Sequence, residues 1–445
     1  MYFNRKIDQE LLNWKFSENR KPLILRGARQ VGKSSSVKNL SKKFTHFIEI
    51  NFDETPHFSE IFEKNLSVFE ICEQLSILTN TPIIEGKTLL FFDEIQSCIP
   101  AISSLRYFYE KMPNLHVISA GSLLEFTLAE IPSFGVGRVR SMFMYPLSFT
   151  EFLQANKEDI LLQNLEKASI SKPLSELVHK KLISFYKKFL IIGGMPEAVS
   201  VYVKSKDLHE VQRVLNDLLI SIQADFTKYK SRVPNARLIE VFNTISQQIG
   251  NKFTYSYPNS TLNNSQIKEA IELLKMAGLV YSVTHSASNG IPLGAEINPK
   301  KTKLLIFDTG IFQRILGLNI AELLISDDFN TINKGNIAEL FVGLELLKME
   351  NCYEKLDLFY WHREAKNSQA EVDYVCQINS KIIPIEVKSG TKGSMQSLYR
   401  FLEEKKITNG FRISLENFSS LEQINILPIY ATYKMEEISK LPNHS

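Results

Sequence analysis

A glycine-rich segment near the start of the chain carries the residue types that bind phosphate. Residues 27–34 read GARQVGKS and match the pattern GxxxxGK(S/T) in full. The glycines let the backbone wrap around an anion and present its N–H groups to it. We expect Lys33 to reach the β- and γ-phosphates of ATP and the Ser34 hydroxyl to complete the shell of a magnesium ion. The predicted ATP-binding residues of this loop are Gly27, Ala28, Arg29, Gln30, Val31, Gly32, Lys33, Ser34 and Ser35.

A run of apolar residues at 88–92 ends in two carboxylates, Asp93 and Glu94. Asp93 can hold magnesium through water, and Glu94 can polarise the water that attacks the γ-phosphate. Such a strand ending is ordinary by itself, but here it follows the phosphate loop by about 60 residues, which favours a metal and base pair. The two segments together predict ATP hydrolysis, with Glu94 and Lys33 as catalytic residues and Ser34 and Asp93 as metal ligands.

Short apolar runs predict the elements that position these residues. Residues 23–25 have the length of a buried parallel strand, and residues 37–40 continue as a helix whose N-terminal dipole favours an anion. Further strands at 47–50 and 116–119 suit a P-loop ATPase core with an additional strand. Ser122 follows the last of these strands, where it could contact the γ-phosphate of ATP or simply form a turn.

Two arginines, Arg138 and Arg140, lie between this strand and the final strand of the core. An arginine finger stabilises the charge on the transferred phosphoryl group, and ATPases of this type often receive it from a neighbouring subunit. We expect Arg138 to be that catalytic arginine, which would require a homo-oligomer. The alternative is that both arginines form ion pairs at the surface or between domains.

These motifs resemble those of the prokaryotic AAA-type ATPases that carry a C-terminal domain of unknown function. The resemblance runs nearly end to end. That family typically has threonine where Ser34 and Ala120 stand here; Ser34 keeps the hydroxyl that binds magnesium, whereas Ala120 weakens the interpretation of Ser122 as a phosphate sensor. The segments that carry the resemblance are residues 29–33, 93–96, 137–138, 145–149 and 193–197.

The middle of the chain predicts two further modules. Residues 151–230 are mainly helical, with apolar spacing of three and four at 174–190 and 208–226, and suit a lid over the nucleotide. Residues 231–325 then read as helix, helix, strand, polar segment (284–303) and strand, the order of a winged helix, and the resembling family carries such a module at this place. Asn264 or Ser265 can cap the second of these helices. Lys300, Lys301 and Lys303 lie in the polar wing and could contact DNA phosphates; the alternative is a regulatory joint packed on the ATPase core.

The last part of the chain carries a second acidic set. Strands at 358–362, 371–375 and 383–389 follow an amphipathic helix that starts near residue 335. The order and spacing of one helical glutamate, an aspartate and a Glu-x-Lys unit resemble the PD-(D/E)xK nuclease fold. The resemblance implies magnesium ligands and a catalytic lysine that stabilises developing negative charge. The residues concerned are Glu339, Asp373 and Glu386 as metal ligands and Lys388 as the lysine.

The sequence leaves the use of this domain open between an active nuclease, a nucleic-acid-binding module and a structural unit. The function that we predict is magnesium-dependent ATP binding and hydrolysis, controlling a DNA-directed C-terminal nuclease-like domain. The rival interpretation is an ATP-driven signalling switch or DNA-binding regulator whose nuclease-like domain does not cleave.

Composition supports a multidomain globular protein. The 445 residues exceed one ordinary core, and 52 basic against 49 acidic side chains neither demand nor exclude nucleic acid. No apolar run is long enough for a membrane span, no signal peptide is evident, and four scattered cysteines indicate reduced thiols in the cytoplasm. The predicted fold class is α/β: a P-loop NTPase core with a parallel sheet (1–150), a helical lid (151–230), a winged helix (231–325) and a restriction-endonuclease-like α/β domain (326–445).

Overall fold

A computed structural model describes most of the chain. The described residues are 2–63, 67–131, 137–229, 233–255, 263–317, 334–349, 351–364 and 370–440. The predicted domain boundaries at 230/231 and 325/326 therefore lie outside the described residues, and the division into domains stays a prediction. Within these ranges no helix combines the length and apolarity needed to cross a membrane. All four cysteines are free thiols.

The N-terminal part is built on a five-stranded parallel sheet in the order β2-β3-β4-β1-β5. The central strands β3 and β4 are buried along their whole length, because both faces of the sheet are covered there. Along β3, Leu89 packs into the same core as Leu11 of the first helix, whereas Leu90 packs into a separate core with Leu105. The elements are α1 Lys6–Phe16, β1 Leu23–Arg26, α2 Lys33–Ser41, β2 His46–Asn51, α3 Ser59–Glu63, α4 Val68–Thr79, β3 Thr88–Asp93, α5 Ile99–Lys111, β4 His116–Ala120, α6 Leu124–Glu130 and β5 Arg140–Phe143.

His116, the first residue of β4, is a buried titratable group in this core. Its ring lies between Trp14 and Phe44, with centroids 5.6 and 4.7 Å away, and its Nε2–H donates to the Lys15 carbonyl over 3.1 Å. Burial, reinforced by the positive charge of Arg20, lowers the pKa of His116 to about 4. The ring is therefore neutral in the folded protein at pH values where an exposed histidine is protonated.

We expect this histidine to destabilise the fold in mild acid. Because its folded pKa lies below its unfolded value of about 6.5, stability is complete above pH 6.5 and is lost as the pH falls towards 4. Between pH 7.5 and 5 the free energy of unfolding should fall by about 2 kcal/mol from this group. Urea titrations of the wild type and of His116→Gln at both pH values measure the difference; equal pH dependence of the two proteins would contradict the assignment.

A bundle of helices follows the sheet, as the sequence predicts for this region. The predicted helices at 174–190 and 208–226 correspond to observed helices that differ from them by at most two residues at either end. Gly193 ends the first of them with φ 73°, and the helix after it starts at Pro196. The elements are α7 Phe149–Ala155, α8 Asp159–Lys167, α9 Glu176–Ile192, α10 Pro196–Ser205 and α11 Leu208–Asp225.

The remaining strands form one eight-stranded mixed sheet in the order β12-β13-β11-β10-β9-β8-β6-β7. Its first two strands in the chain belong to the predicted winged-helix region, and β6 pairs in parallel with β8 of the C-terminal part. The elements are α12 Asn235–Gln247, α13 Asn264–Met276, β6 Val280–Ser286, β7 Ile297–Ile306, α14 Thr309–Ile315, α15 Lys334–Leu347, β8 Leu358–His362, β9 Glu371–Ile378, β10 Lys381–Val387, α16 Gln396–Lys405, β11 Gly410–Ser414, β12 Ser419–Leu421, β13 Ile424–Pro428 and α17 Met435–Lys440.

Two local predictions in this region need correction. Both ends of the segment 284–303, predicted as a polar wing, are β-strand: Thr284 pairs with Thr302 and His285 with Asn298 across the β6–β7 ladder. The cap of α13 is Asn263, one or two residues earlier than predicted. Its side-chain oxygen accepts the Gln266 N–H over 2.9 Å, which satisfies a donor that the helix itself leaves unpaired.

Candidate nucleotide site and C-terminal acidic site

The phosphate loop joins the end of β1 to the start of α2, as predicted. Gly27 has φ 138°, and a Cβ atom added there would lie 2.1 Å from the Met144 carbonyl oxygen, so only glycine fits. Gly32, with φ 102°, is the N-cap of α2. The loop therefore has the backbone conformation of a glycine-dependent anion site at a helix N-terminus.

Lys33 turns its ammonium group into this loop. Its Nζ donates to the carbonyl oxygens of Gly27 and Ala28 over 2.9 and 2.8 Å. Burial lowers the pKa of Lys33 to about 8, while the nearby carboxylates of Glu94 and Asp93 act in the opposite direction. A phosphate group entering the loop would replace two neutral carbonyls by a charged partner.

Ser34 and Asp93 meet although about 60 residues separate them in the chain. The Ser34 Oγ donates to Asp93 Oδ2 over 2.7 Å, and the other carboxylate oxygen accepts the Glu94 N–H over 3.1 Å. Burial raises the pKa of Asp93, and the hydrogen bond from Ser34 partly offsets this. One hydroxyl and one carboxylate form a hard oxygen pair of the kind that magnesium prefers, so these residues fit the predicted ion.

Glu94 lies next to Ser122, the residue predicted to contact the γ-phosphate. One oxygen of the Glu94 carboxylate accepts the Ser122 N–H over 3.2 Å and the Ser122 Oγ–H over 3.1 Å. The same oxygen accepts from Gln96 Nε2 over 2.6 Å. Gln96 belongs to the 93–96 motif, yet the sequence did not identify it as a partner of the predicted base. The three contacts fix the orientation of the carboxylate.

Two polar contacts that sequence reasoning missed also hold the loop. Arg5 donates to the carbonyls of Val31 and Tyr145 over 3.0 and 2.7 Å and forms a buried ion pair with Glu151 at 3.1 Å. Arg29 of the loop pairs with Asp225 at the end of α11, which connects the loop to the helical region. Both contacts join residues far apart in sequence, so no local pattern could have revealed them.

The predicted arginine finger lies at the surface of the core. Arg138 forms an ion pair with Glu110 of α5, and its side chain is 48% exposed. Arg140 is the first residue of β5, not a residue before that strand, and its guanidinium lies 5.5 Å from the centre of the Tyr353 ring. An exposed Arg138 is compatible with a role at a neighbouring subunit, which stays a prediction.

The end of α13 lies against the phosphate loop. Gly278 has φ 72°, and a Cβ atom added there would lie 3.1 Å from the backbone nitrogen of Ala28. A small cavity next to this contact is lined by residues of both regions, including Gly27, Ser122, Lys275 and Met276. The predicted winged-helix region therefore forms one wall of the nucleotide site.

The predicted nuclease-like residues lie on α15, β9 and β10, as expected from their order. Asp373 Oδ2 accepts the Val387 N–H over 2.7 Å, and Lys388 Nζ pairs with Glu386 Oε1 at 2.6 Å. Glu386 is 6% exposed, and among the described residues its Oε2 has no hydrogen-bond partner. Burial, followed by the negative charge of Asp373, raises the pKa of Glu386 to about 7.

Lys303 is also part of this cluster, which corrects its predicted contact with DNA. Its side chain is 1% exposed, and its ammonium pairs with Glu339 at 2.8 Å and with Glu371 at 2.6 Å. Burial raises the pKa of Glu339 to about 8, although Lys303 acts to lower it. The composition of the wing predicted that its lysines are exposed to solvent. Lys303 is buried because β7 pairs with β6 and packs against α15. Lys301 pairs with Glu364 near the surface, at 2.7 Å.

The acidic set does not fit a magnesium ion in this arrangement. Across the part of the chain that the structure describes, no group of three or more His, Cys, Asp or Glu side chains is placed to hold a metal. Lys303 already contacts Glu339 and Glu371, and Lys388 contacts Glu386, so ammonium groups lie beside the carboxylate oxygens that a metal ion would need. The predicted magnesium ligands Glu339, Asp373 and Glu386 are therefore neighbours of lysine ammonium groups here.

Three family models match consecutive parts of the chain. Residues 19–153 match an AAA domain, residues 183–322 a domain of unknown function (DUF8612) and residues 334–432 another domain of unknown function (DUF4143). The N-terminal part is thus an AAA-type ATPase domain, as the resemblance implied, and the C-terminal part is a domain of unknown function. No curated protein sequence matches the chain significantly.

Several solved structures are weakly similar. C. elegans PCH-2 is 16% identical, with a TM-score of 0.28 over 46% of this chain and 64% of its own. Aeropyrum pernix ORC1, solved in complex with DNA, is 14% identical, with a TM-score of 0.24 over 73% of this chain and 95% of its own. The S. cerevisiae Hsp104–ADP complex is 10% identical, with a TM-score of 0.29 over 62% and 38%. The chain thus spans less than two thirds of the length of PCH-2.

Proposed function

We propose that the chain is a magnesium-dependent ATPase whose nucleotide state controls its C-terminal nuclease-like domain, with DNA as the class of target. In this proposal residues 27–35 and Ser122 bind ATP, and Ser34 and Asp93 hold magnesium. The ion, when bound, would neutralise phosphate charge. Lys33 orients the β- and γ-phosphates, and Glu94 orients and deprotonates the attacking water.

The other roles depend on assembly and on the C-terminal cluster. Arg138 would complete the site of a neighbouring subunit and stabilise charge on the transferred phosphoryl group, which makes a homo-oligomer part of the proposal. Glu339, Asp373, Glu386 and Lys388 define the nuclease-like character of the C-terminal domain. Because the acidic set does not fit magnesium in this arrangement, no cleavage step is assigned to it.

The observation that carries the proposed control is the contact between Gly278 and Ala28. Only one residue separates Gly278 from β6, which pairs with β7 on one side and with β8 on the other. β7 in turn carries Lys303 into the acidic cluster. A nucleotide that changes the conformation of the loop at Ala28 would therefore displace Gly278. Gly278 is connected through β6 and its paired strands to the C-terminal acidic residues.

Hydrogen exchange tests this connection. A non-hydrolysable ATP analogue with magnesium should alter amide exchange several-fold in two places, the phosphate loop and residues 278–306. The loop binds the analogue, Gly278 lies against the loop, and the strands that follow Gly278 pair with each other. Lys33→Ala should show neither change. If the analogue alters exchange only within the N-terminal sheet, ATP binding would stand and the proposed control of the C-terminal domain would be wrong.

A second candidate function is a nucleotide-driven regulatory switch whose nuclease-like domain does not cleave, and the buried ion pairs of Lys303 favour it. Incubation of the full chain with supercoiled plasmid and magnesium, with and without ATP, separates the two candidates. Cleavage that disappears in Asp373→Ala and Lys388→Ala would support the nuclease. Cleavage that survives both substitutions would place the activity outside the acidic cluster.

A further inference from the structure

We propose that Lys303 takes the place of a divalent cation in the C-terminal acidic cluster, so that the described conformation is a form of this site closed to metal by a residue of the chain itself. The cluster consists of Glu339, Glu371, Asp373 and Glu386. The inference concerns this cluster alone and does not require ATP hydrolysis.

The position of Lys303 is that of a bound cation and not of a surface lysine. Its ammonium reaches Glu339 of α15 at 2.8 Å and Glu371 of β9 at 2.6 Å, so it joins a helix to a strand. The side chain is 1% exposed, and its Nζ lies 5.1 Å from the centre of the Tyr360 ring, which adds a cation–π contact. The ammonium thus lies among carboxylates and an aromatic ring, shielded from water.

The charges of the cluster explain why a cation is needed there. Buried carboxylates without a partner are strongly destabilising, and Glu339 and Glu386 are both buried here. Lys388 forms its ion pair with Glu386, whose second oxygen has no hydrogen-bond partner among the described residues. Lys303 supplies the positive charge beside Glu339 and Glu371. If Lys303 is removed, the cluster must take up protons or a cation from solution to compensate its negative charge.

Lys303 comes from a different region of the chain than the carboxylates that it contacts. It lies on β7, whereas Glu339 and Glu371 follow it by 36 and 68 residues. The backbone of Lys303 is held by Val283 of β6 on one side and by Lys252 on the other, so its ammonium leaves the carboxylates by a movement of the side chain and not of the strand. Lys388 differs from it, because it lies only two residues from Glu386, its partner in the ion pair.

Manganese binding in the absence of nucleotide tests the proposal directly. In Lys303→Met, which keeps most of the unbranched side chain and removes the ammonium, we expect Mn²⁺ to bind at least about tenfold more tightly than in the wild type, by calorimetry or electron paramagnetic resonance. Mn²⁺ should also raise the melting temperature of this variant and leave that of the wild type nearly unchanged. Lys301→Met is the matched control: this lysine pairs with the exposed Glu364 and should leave Mn²⁺ affinity as in the wild type.

One result would overturn the proposal: a Lys303→Met protein that folds and binds Mn²⁺ no more tightly than the wild type. This holds whether both proteins bind the ion weakly or both bind it tightly, since the lysine would then not exclude the ion.

A double variant covers the case in which Lys303→Met alone fails to fold. Lys303→Met with Glu339→Gln removes one charge of each sign, so it should regain a melting temperature close to that of the wild type. The double variant lacks one of the carboxylates and should bind Mn²⁺ only weakly in the cluster. The Mn²⁺ that it still binds measures binding at other places in the chain. A double variant as unstable as Lys303→Met would show that the lysine is not the counter-ion of Glu339 and would overturn the proposal.

Discussion

Replacing Lys33 by alanine is expected to lower the affinity for ATP by a factor of about 100 or more. The ammonium is buried in the loop, where a charge-assisted hydrogen bond to phosphate is worth about 3 kcal/mol, and alanine removes both the charge and the donor. The affinity of a fluorescent ATP analogue for the wild type and for Lys33→Ala, measured with magnesium, gives this factor.

Lys38→Ala is the matched control for this experiment. Lys38 lies on the same helix, but its side chain is 55% exposed and pairs with Glu49 at 3.0 Å. Loss of a surface ion pair costs little, so its ATP affinity should stay within about twofold of the wild type. Equal affinity of Lys33→Ala and the wild type would show that residues 27–34 do not bind the phosphates.

Replacing Glu94 by glutamine should separate binding from hydrolysis. The amide keeps the size of the side chain and an oxygen that can accept from Ser122 and Gln96, so ATP affinity should change little. It cannot take a proton from water, so we expect ATP turnover to fall by a factor of about 100 to 1,000. Phosphate release at saturating magnesium and ATP measures turnover, and equilibrium binding on the same sample measures affinity.

Glu49→Gln controls for the loss of one negative charge near the site. Glu49 lies on β2, the neighbour of β3, and its carboxylate contacts Lys38 and not the predicted water-activating group. Turnover should remain close to that of the wild type. An equal loss of turnover in both variants would indicate a general charge effect, and undiminished hydrolysis in Lys33→Ala and Glu94→Gln together would place the ATPase site elsewhere.

The features that the sequence predicted well are those encoded by short segments. The phosphate loop depends on glycines at fixed positions and on a strand before it, and both are local requirements. The strand ending in Asp93 and Glu94 is equally local, and the parallel order of the sheet then brings it to Ser34. These strands form where apolar runs are buried in the sheet, so residue types alone predict where they lie in the chain.

The features that the sequence did not predict depend on contacts between distant segments. Arg5 and Asp225 support the loop from positions that carry no recognisable motif. Lys303 was misjudged for the same reason: its neighbouring lysines indicate a solvated wing, whereas its side chain is buried and pairs with Glu339 of α15 and Glu371 of β9. A lysine is rarely fully buried unless it is paired, and pairing is a tertiary property.

The eight-stranded sheet sets a limit on how the chain can be divided. A fragment that starts at residue 326 would remove β6 and leave the N–H and C=O groups of β8 without the partner that they have in the whole chain. An unpaired strand edge of this kind recruits strands from other molecules, and the fragment would also lack Lys303 beside Glu339. The eight-stranded sheet therefore begins at Val280, within the predicted winged-helix region, and strand pairing joins that region to the predicted C-terminal domain.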